Sequence, residues 1–84
     1  PENAEYLFNL GTECGKQGKY DEAIKALKEA HKLRPKHAAT LINLGAVYYQ
    51  KTDFLSAEKE WKKEIRVDPQ NEIAKNHLKR IKTR

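Results

Sequence analysis

An 84-residue chain with 38% hydrophobic and 35% charged residues, a mean hydropathy of −0.94 and a formal net charge of +5 can form one small domain at most. Leu, Ile, Val and Phe supply 17 residues, near the border below which a net-charged chain stays disordered, and a chain this short does not enclose a deep enzyme pocket. No apolar run approaches the roughly 18 residues of a membrane span, and no basic-then-apolar leader opens the chain, so a soluble, cytoplasmic protein without membrane insertion is expected.

The chain starts at Pro1 and contains no Met, which reads as a processed chain or a domain cut from something longer. Its single cysteine, Cys14, has no internal disulfide partner, and no Cys/His spacing suits zinc. No metal or cofactor is therefore expected, and helix packing has to hold the fold.

Apolar residues at three- and four-residue spacing, bounded by Gly or Pro, predict helices in chain order. The first runs from about Ala4 to Gln17 and ends at Gly18, which can take the left-handed conformation that stops a helix. The second runs from about Tyr20 to Leu33, with Asp21 and Glu22 suiting its N-terminus. A third runs from about His37 to Lys51, and a fourth from about Phe54 to Val67 with Asp53 placed to cap it. After Pro69 a fifth spans about 71–83, with Asn71 as cap, Glu72 in the first turn and Lys79, Arg80, Lys82 and Arg84 towards the end.

A shift of 34 residues aligns the chain with itself. Ala4 falls on Ala38, Leu7 on Leu41, Asn9 on Asn43, Leu10 on Leu44, Gly11 on Gly45, Ala23 on Ala57, and Pro35 on Pro69, with Lys25 and Lys28 on Lys59 and Lys62. The first unit carries Leu7, Leu10-Gly11, Cys14, Ala23, Leu27, Ala30 and Pro35; the second carries Leu41, Leu44-Gly45, Tyr48, Ala57, Trp61, Glu64 and Pro69. This pattern resembles the tetratricopeptide repeat family over essentially the whole chain. The resemblance implies an all-α fold of antiparallel helix-turn-helix repeats in a right-handed α-solenoid of five helices. Repeat one would span about 2–35, repeat two about 36–69, and a capping helix about 71–83.

The small residues Gly11, Gly45, Ala23 and Ala57 would mark close helix approaches, with Leu27 or Trp61 filling the space beside them. Glu64 stands where Ala30 repeats, so close docking of the last helix calls for a Lys or Arg to pair with it. In that helix Ala74, His77, Leu78 and Ile81 form an apolar stripe, while Lys75, Lys79 and Lys82 take the positions of Leu41, Gly45 and Tyr48. Three lysines there predict a solvated end to the array and no sixth helix.

The resemblance also implies a non-catalytic scaffold for protein–protein interaction. In the family, first helices line a concave groove that receives an extended peptide or a partner helix. Mapped by helical period, that groove would display Phe8, Asn9, Thr12 and Lys16, then Ile42, Asn43, Ala46, Tyr49 and Gln50, then Asn76, His77 and Arg80. Asn9 and Asn43 recur at one register, and a carboxamide can pair with both polar groups of a peptide backbone; a pair of amides that merely recur with the repeat and stay solvated is the other reading.

Some members clamp acidic chaperone tails with Lys, Asn and Arg. This chain keeps Asn43 but has Phe8 and Thr12, Ile73 and His77 at the remaining clamp positions, so that specialisation is not expected. Lys16 and Arg80 would still favour an acidic partner.

Two other classes compete. Self-association could use Tyr6, Tyr20 and neighbouring apolar residues on the uncapped N-terminal face. Polyanion or nucleic-acid binding could use the last helix, since the net charge is 0 over residues 1–34, +1 over 35–68 and +4 over 69–84. No aromatic residues interleave with those cations to stack bases, which disfavours nucleic acid. Catalysis is not expected: His31, His37 and His77 lie on different helices or their ends, and Cys14 is predicted to be a buried, inert thiol.

Overall fold

Five α-helices make up the chain in the computed structural model, which describes residues 2–82 and the side chains of residues 3–80: α1 (Glu2–Lys16), α2 (Tyr20–Leu33), α3 (Ala38–Gln50), α4 (Phe54–Val67) and α5 (Glu72–Lys82). Helix α1 starts two residues before the predicted Ala4, and His37 precedes α3 as its N-cap instead of opening it. The predicted end of the last helix at residue 83 lies outside the described residues. Sequential neighbours pack together, α1 on α2, α2 on α3, α3 on α4 and α4 on α5, in a body 36 × 26 × 15 Å across.

The 34-residue recurrence is written into the backbone hydrogen bonds that close each helix. At the end of α1, the Lys19 amide donates to the Cys14 carbonyl at 2.9 Å. At the end of α3, the Asp53 amide donates to the Tyr48 carbonyl at 2.8 Å. Both are the long bond of a Schellman closure, which needs a left-handed residue just before the donor. Gly18 supplies it at φ 81°, and Thr52, its counterpart, supplies it at φ 69°. Between pairs, the Arg34 amide bonds the Ala30 carbonyl and the His37 amide bonds the Arg34 carbonyl. Asp68 with Glu64 and Asn71 with Asp68 repeat those two bonds.

Helix starts are handled differently. Asp53 caps α4 by accepting from the Ser56 amide and hydroxyl, and Asn71 Oδ1 accepts from the Ala74 amide at 3.0 Å at the start of α5. Lys19 offers α2 no side-chain cap, and there Asp21 and Glu22 oppose the helix dipole instead.

The core follows the small-residue schedule. Ala23, Ala26, Leu27 and Ala30 are buried on α2, and Ala57, Glu60, Trp61 and Glu64 on α4. Of these, Ala23, Leu27, Ala57 and Trp61 cluster with Cys14 on α1, Leu44, Val47 and Tyr48 on α3, and Leu78 on α5. Glycine is required at two crossings. A Cβ on Gly11 would lie 2.6 Å from Leu27 Cγ, and one on Gly45 would lie 2.6 Å from Trp61 Cδ1.

Among the described residues, no cation pairs with Glu64 where α5 docks. The Glu64 side chain is fully buried, and neither carboxylate oxygen has a hydrogen-bond partner. Burial, and secondarily the nearby Asp68 carboxylate, push its pKa up, so the neutral form is favoured in the fold. Ala74 and Leu78 of the predicted stripe are buried and His77 is half-buried, while the side chain of Ile81 lies outside the described residues. Lys79 is exposed, and Lys75 reaches Glu72 at 3.9 Å.

Candidate functional site

Helices α1, α3 and α5 border two adjoining recesses. The first, about 160 Å3, is lined by Thr12, Gly15 and Lys16 of α1 and by Asn43, Ala46, Val47 and Gln50 of α3. The second, about 260 Å3, is lined by Ala46, Tyr49 and Gln50 of α3, Trp61 of α4, and His77 and Arg80 of α5. Ala46 and Gln50 belong to both, so the recesses form one continuous depression. Its floor is mainly apolar, and Lys16, Gln50 and Arg80 supply polar groups.

A hydrogen-bonded relay fixes the α1 side. Thr12 Oγ1 donates to the Phe8 carbonyl at 2.8 Å, the back-bond open to a hydroxyl one turn on, and accepts from Asn43 Nδ2 at 3.0 Å. Asn43 thus uses one amide hydrogen to join α3 to α1, leaving its carbonyl and second hydrogen for another group.

On the α5 side, Trp61 is 1% exposed and donates its indole N–H to the Ile42 carbonyl at 3.2 Å. Its ring carries Tyr49 at 5.9 Å and His77 at 4.4 Å between centroids, and Tyr49 also meets Phe54 edge-on at 5.0 Å. His77 Nδ1 is buried and has no hydrogen-bond partner among the described residues. Burial first, and the Arg80 guanidinium second, hold the His77 pKa below 6.5. Both causes favour the neutral ring.

The remaining groove residues of the sequence reading sit elsewhere. Phe8 is half-buried, its ring edge-on to His37 at 5.2 Å. With Asn9 it lines a separate recess of about 170 Å3 between α1, the end of α2 and the start of α3. Ile42 and Asn76 line neither half of the depression. Sequence reasoning left out Gly15, Val47 and Trp61. By helical period Trp61 fills the core, and the signal that it also faces α5 is its register opposite Ala46 and His77, which only the packed helices reveal.

Among the described residues no group of three or more His, Cys, Asp or Glu side chains could hold a metal ion, and no helix is long and apolar enough to cross a membrane. Cys14 is buried, with 8% exposure. On the outer face of α1, Tyr6 and Leu10 are 64% and 40% exposed.

A sequence model of the family described as TPR repeat matches residues 13–51. Small glutamine-rich tetratricopeptide repeat-containing protein 2 of Mycosarcoma maydis is 30% identical over 78 residues, 93% of this chain and 22% of that protein. Tetratricopeptide repeat protein 6 of Homo sapiens is 32% identical over 69 residues, 82% of this chain and 13% of that protein. Residues 13–51 carry the tetratricopeptide repeat, and the chain is similar to tetratricopeptide-repeat proteins over most of its length. It spans about a fifth or less of the length of these two relatives. Among solved structures, the first tetratricopeptide-repeat domain of Spaghetti (RPAP3), bound to the HSP90 peptide SRMEEVD, superposes with a TM-score of 0.59 at 20% identity, covering 98% of this chain and 92% of that one. That likeness establishes the all-α helical repeat fold, and the depression bordered by α1, α3 and α5 belongs to the first-helix side of the repeats.

Proposed function

We propose that this chain is a non-catalytic interaction module that holds an extended peptide or a helix of a partner protein along α1, α3 and α5. The observation that carries the reading is the continuity of the depression: two recesses sharing Ala46 and Gln50, floored by Val47 and Trp61 and crossed by polar groups from three helices. Apolar anchors with a few convergent polar groups are what peptide recognition needs. The carbonyl of Asn43 and the side chain of Gln50 can pair with a backbone or a polar side chain. The solved relative with a peptide in place supports the same use of the fold.

The partner is expected to differ from the acidic chaperone tail. Phe8 and Thr12, and Ile73 and His77, replace the basic and amide groups that a carboxylate clamp uses, and Thr12 is already committed to Asn43. A surface this small gives affinities of about micromolar order.

Peptides selected from a random display library, titrated calorimetrically against the chain and its Ala46→Glu variant, test this reading. A loss of about tenfold or more in the variant is expected, because the new carboxylate would stand on the apolar floor shared by both recesses. Unchanged affinity, or selection of SRMEEVD-like tails as the tightest binders, overturns it.

A further inference from the structure

The first repeat leaves open an apolar face that the second keeps covered. Leu41 and Leu44 are 0% and 1% exposed on α3, the helix that α2 packs against. Their counterparts 34 residues earlier are Leu7 and Leu10 of α1, of which Leu7 is half-buried and Leu10 exposed. Among the described residues no helix stands over α1 as α2 stands over α3. A recess of about 290 Å3 opens there instead, lined by Leu7, Leu10 and Ala26 and by the charged side chains of Glu22, Lys25 and Glu29. Leu33, seven residues after Ala26 and on the same side of α2, is 54% exposed.

The charges beside this face decide what can cover it. Glu22, Lys25, Glu29 and Lys32 are spaced by three, four and three residues, so they stand in one row along α2, and their signs alternate. All four are exposed, and none makes an ion pair among the described residues. Glu22 and Lys32 lie equally far from Leu27 along the helix, and so do Lys25 and Glu29. A second α2 laid antiparallel across the first, with a two-fold axis at the height of Leu27, therefore sets Glu22 against Lys32 and Lys25 against Glu29, each twice. A parallel pair in register would set every charge against its like. Gly11 packs beside Leu27, which brings the neighbouring Leu10 to the height of the same axis, where it meets Leu10 of the second copy. The net charge also selects this end of the molecule, since residues 1–34 sum to 0 whereas residues 69–84 carry +4 and repel their own copy.

We propose that this face joins two copies of the chain in an isologous dimer with their α2 helices antiparallel, Leu7, Leu10, Ala26 and Leu33 supplying the apolar area and four charge pairs fixing the alignment. None of these residues lines the α1–α3–α5 depression. The dimer thus carries two such depressions, and a partner with two matching segments would engage both.

Sedimentation velocity on the 84-residue chain, from micromolar to millimolar concentration, tests this. Dimerisation is expected with a dissociation constant of about 100 μM, weak because the face is small. Lys25→Glu, at an exposed position, sets carboxylate against carboxylate at two contacts and should weaken the dimer about tenfold with unchanged helicity. Glu29→Lys should do the same by opposing two pairs of ammonium groups. An equimolar mixture of these two variants regains all four opposite-charge contacts, as does the double variant carrying both changes, and each should dimerise as tightly as the unaltered chain. Leu10→Ala should weaken the dimer about tenfold, and neither charge change should rescue it. Ala46→Glu, in the depression, should leave it unchanged, which separates failure of this contact from failure of the peptide groove. A chain that stays monomeric throughout, as it would if the face served a different protein, overturns the inference. So does a dimer indifferent to either charge reversal or to Leu10→Ala, or one that the single reversals weaken without recovery on mixing.

Discussion

The α1–α2 pair and the α3–α4 pair are closed by the same backbone bonds and filled by different side chains. Leu27 sits over Gly11 in the first, and Trp61 over Gly45 in the second. Gly18 turns the first chain reversal, and Thr52 turns the second. Ala30 leaves a recess, whereas Glu64 is buried. The comparison separates two layers of information. The closures at Cys14 and Tyr48, and at Ala30 and Glu64, set helix length and pitch, and they survive every one of these exchanges. The fillers decide what space remains and what chemistry borders it.

Gly→Ala substitutions at the two crossings should break the equivalence most. At Gly45 the added methyl meets a rigid indole that is tied to the Ile42 carbonyl. At Gly11 it meets the branch of a Leu27 side chain that no hydrogen bond ties, with the Ala23 carbonyl 3.2 Å away. Overpacking costs about 1–3 kcal/mol, partly offset by helix propensity. Urea unfolding should therefore show a loss of about 2–3 kcal/mol for Gly45→Ala and about 1 kcal/mol for Gly11→Ala. Equal losses would mean that the two crossings are equally rigid.

Glu64 comes next. Its pKa is raised above 4.5 in the fold, so its neutral form is the one the fold favours, and stability falls as pH rises through the raised value. Glu64→Met should remove that slope and stabilise the chain by about 1–2 kcal/mol above neutral pH, the usual cost of a buried unsatisfied group. The parallel change Ala30→Met should show no such pH dependence. His77 has the opposite sign. With its pKa held below 6.5, it loses stability as pH falls through the lowered value, and His77→Phe should flatten that limb in a thermal-unfolding series across pH 4–8.

The turns give the smallest difference. Thr52→Gly relieves a left-handed threonine and should raise stability by about 0.5 kcal/mol, whereas Gly18→Ala should lower it by about 1 kcal/mol. A destabilised Thr52→Gly would show that the threonine is held there by its own contacts.

The five helices were readable because Gly, Ala and Pro recur on one schedule, and those residues act through the backbone. Asp53 and Asn71 were readable as caps because capping is local chemistry. Thr52 was not, since a β-branched residue argues against the left-handed region; only its register with Gly18 points there. Glu64 stands out in register as an exception to Ala30, but its unpaired burial is not legible there, because burial is decided by how closely α5 approaches. Helical period places Thr12, Lys16, Asn43, Ala46 and Gln50 on adjoining faces, and they line one recess. It cannot separate Phe8 and Asn9 from them, because that division comes from the end of α2 and the start of α3, brought beside α1 by packing.

The stacking of His77 on the only tryptophan of the chain gives the molecule a built-in optical gauge. Trp61 lines the recess between α3 and α5, with its N–H anchored and its ring against an imidazole. An imidazolium withdraws electron density from an excited indole far more than a neutral ring does. Emission should therefore dim as His77 takes up a proton, and it should change again when a peptide displaces water from the recess. Filling of the groove and the charge on its wall can thus be followed by light alone, without labelling either partner.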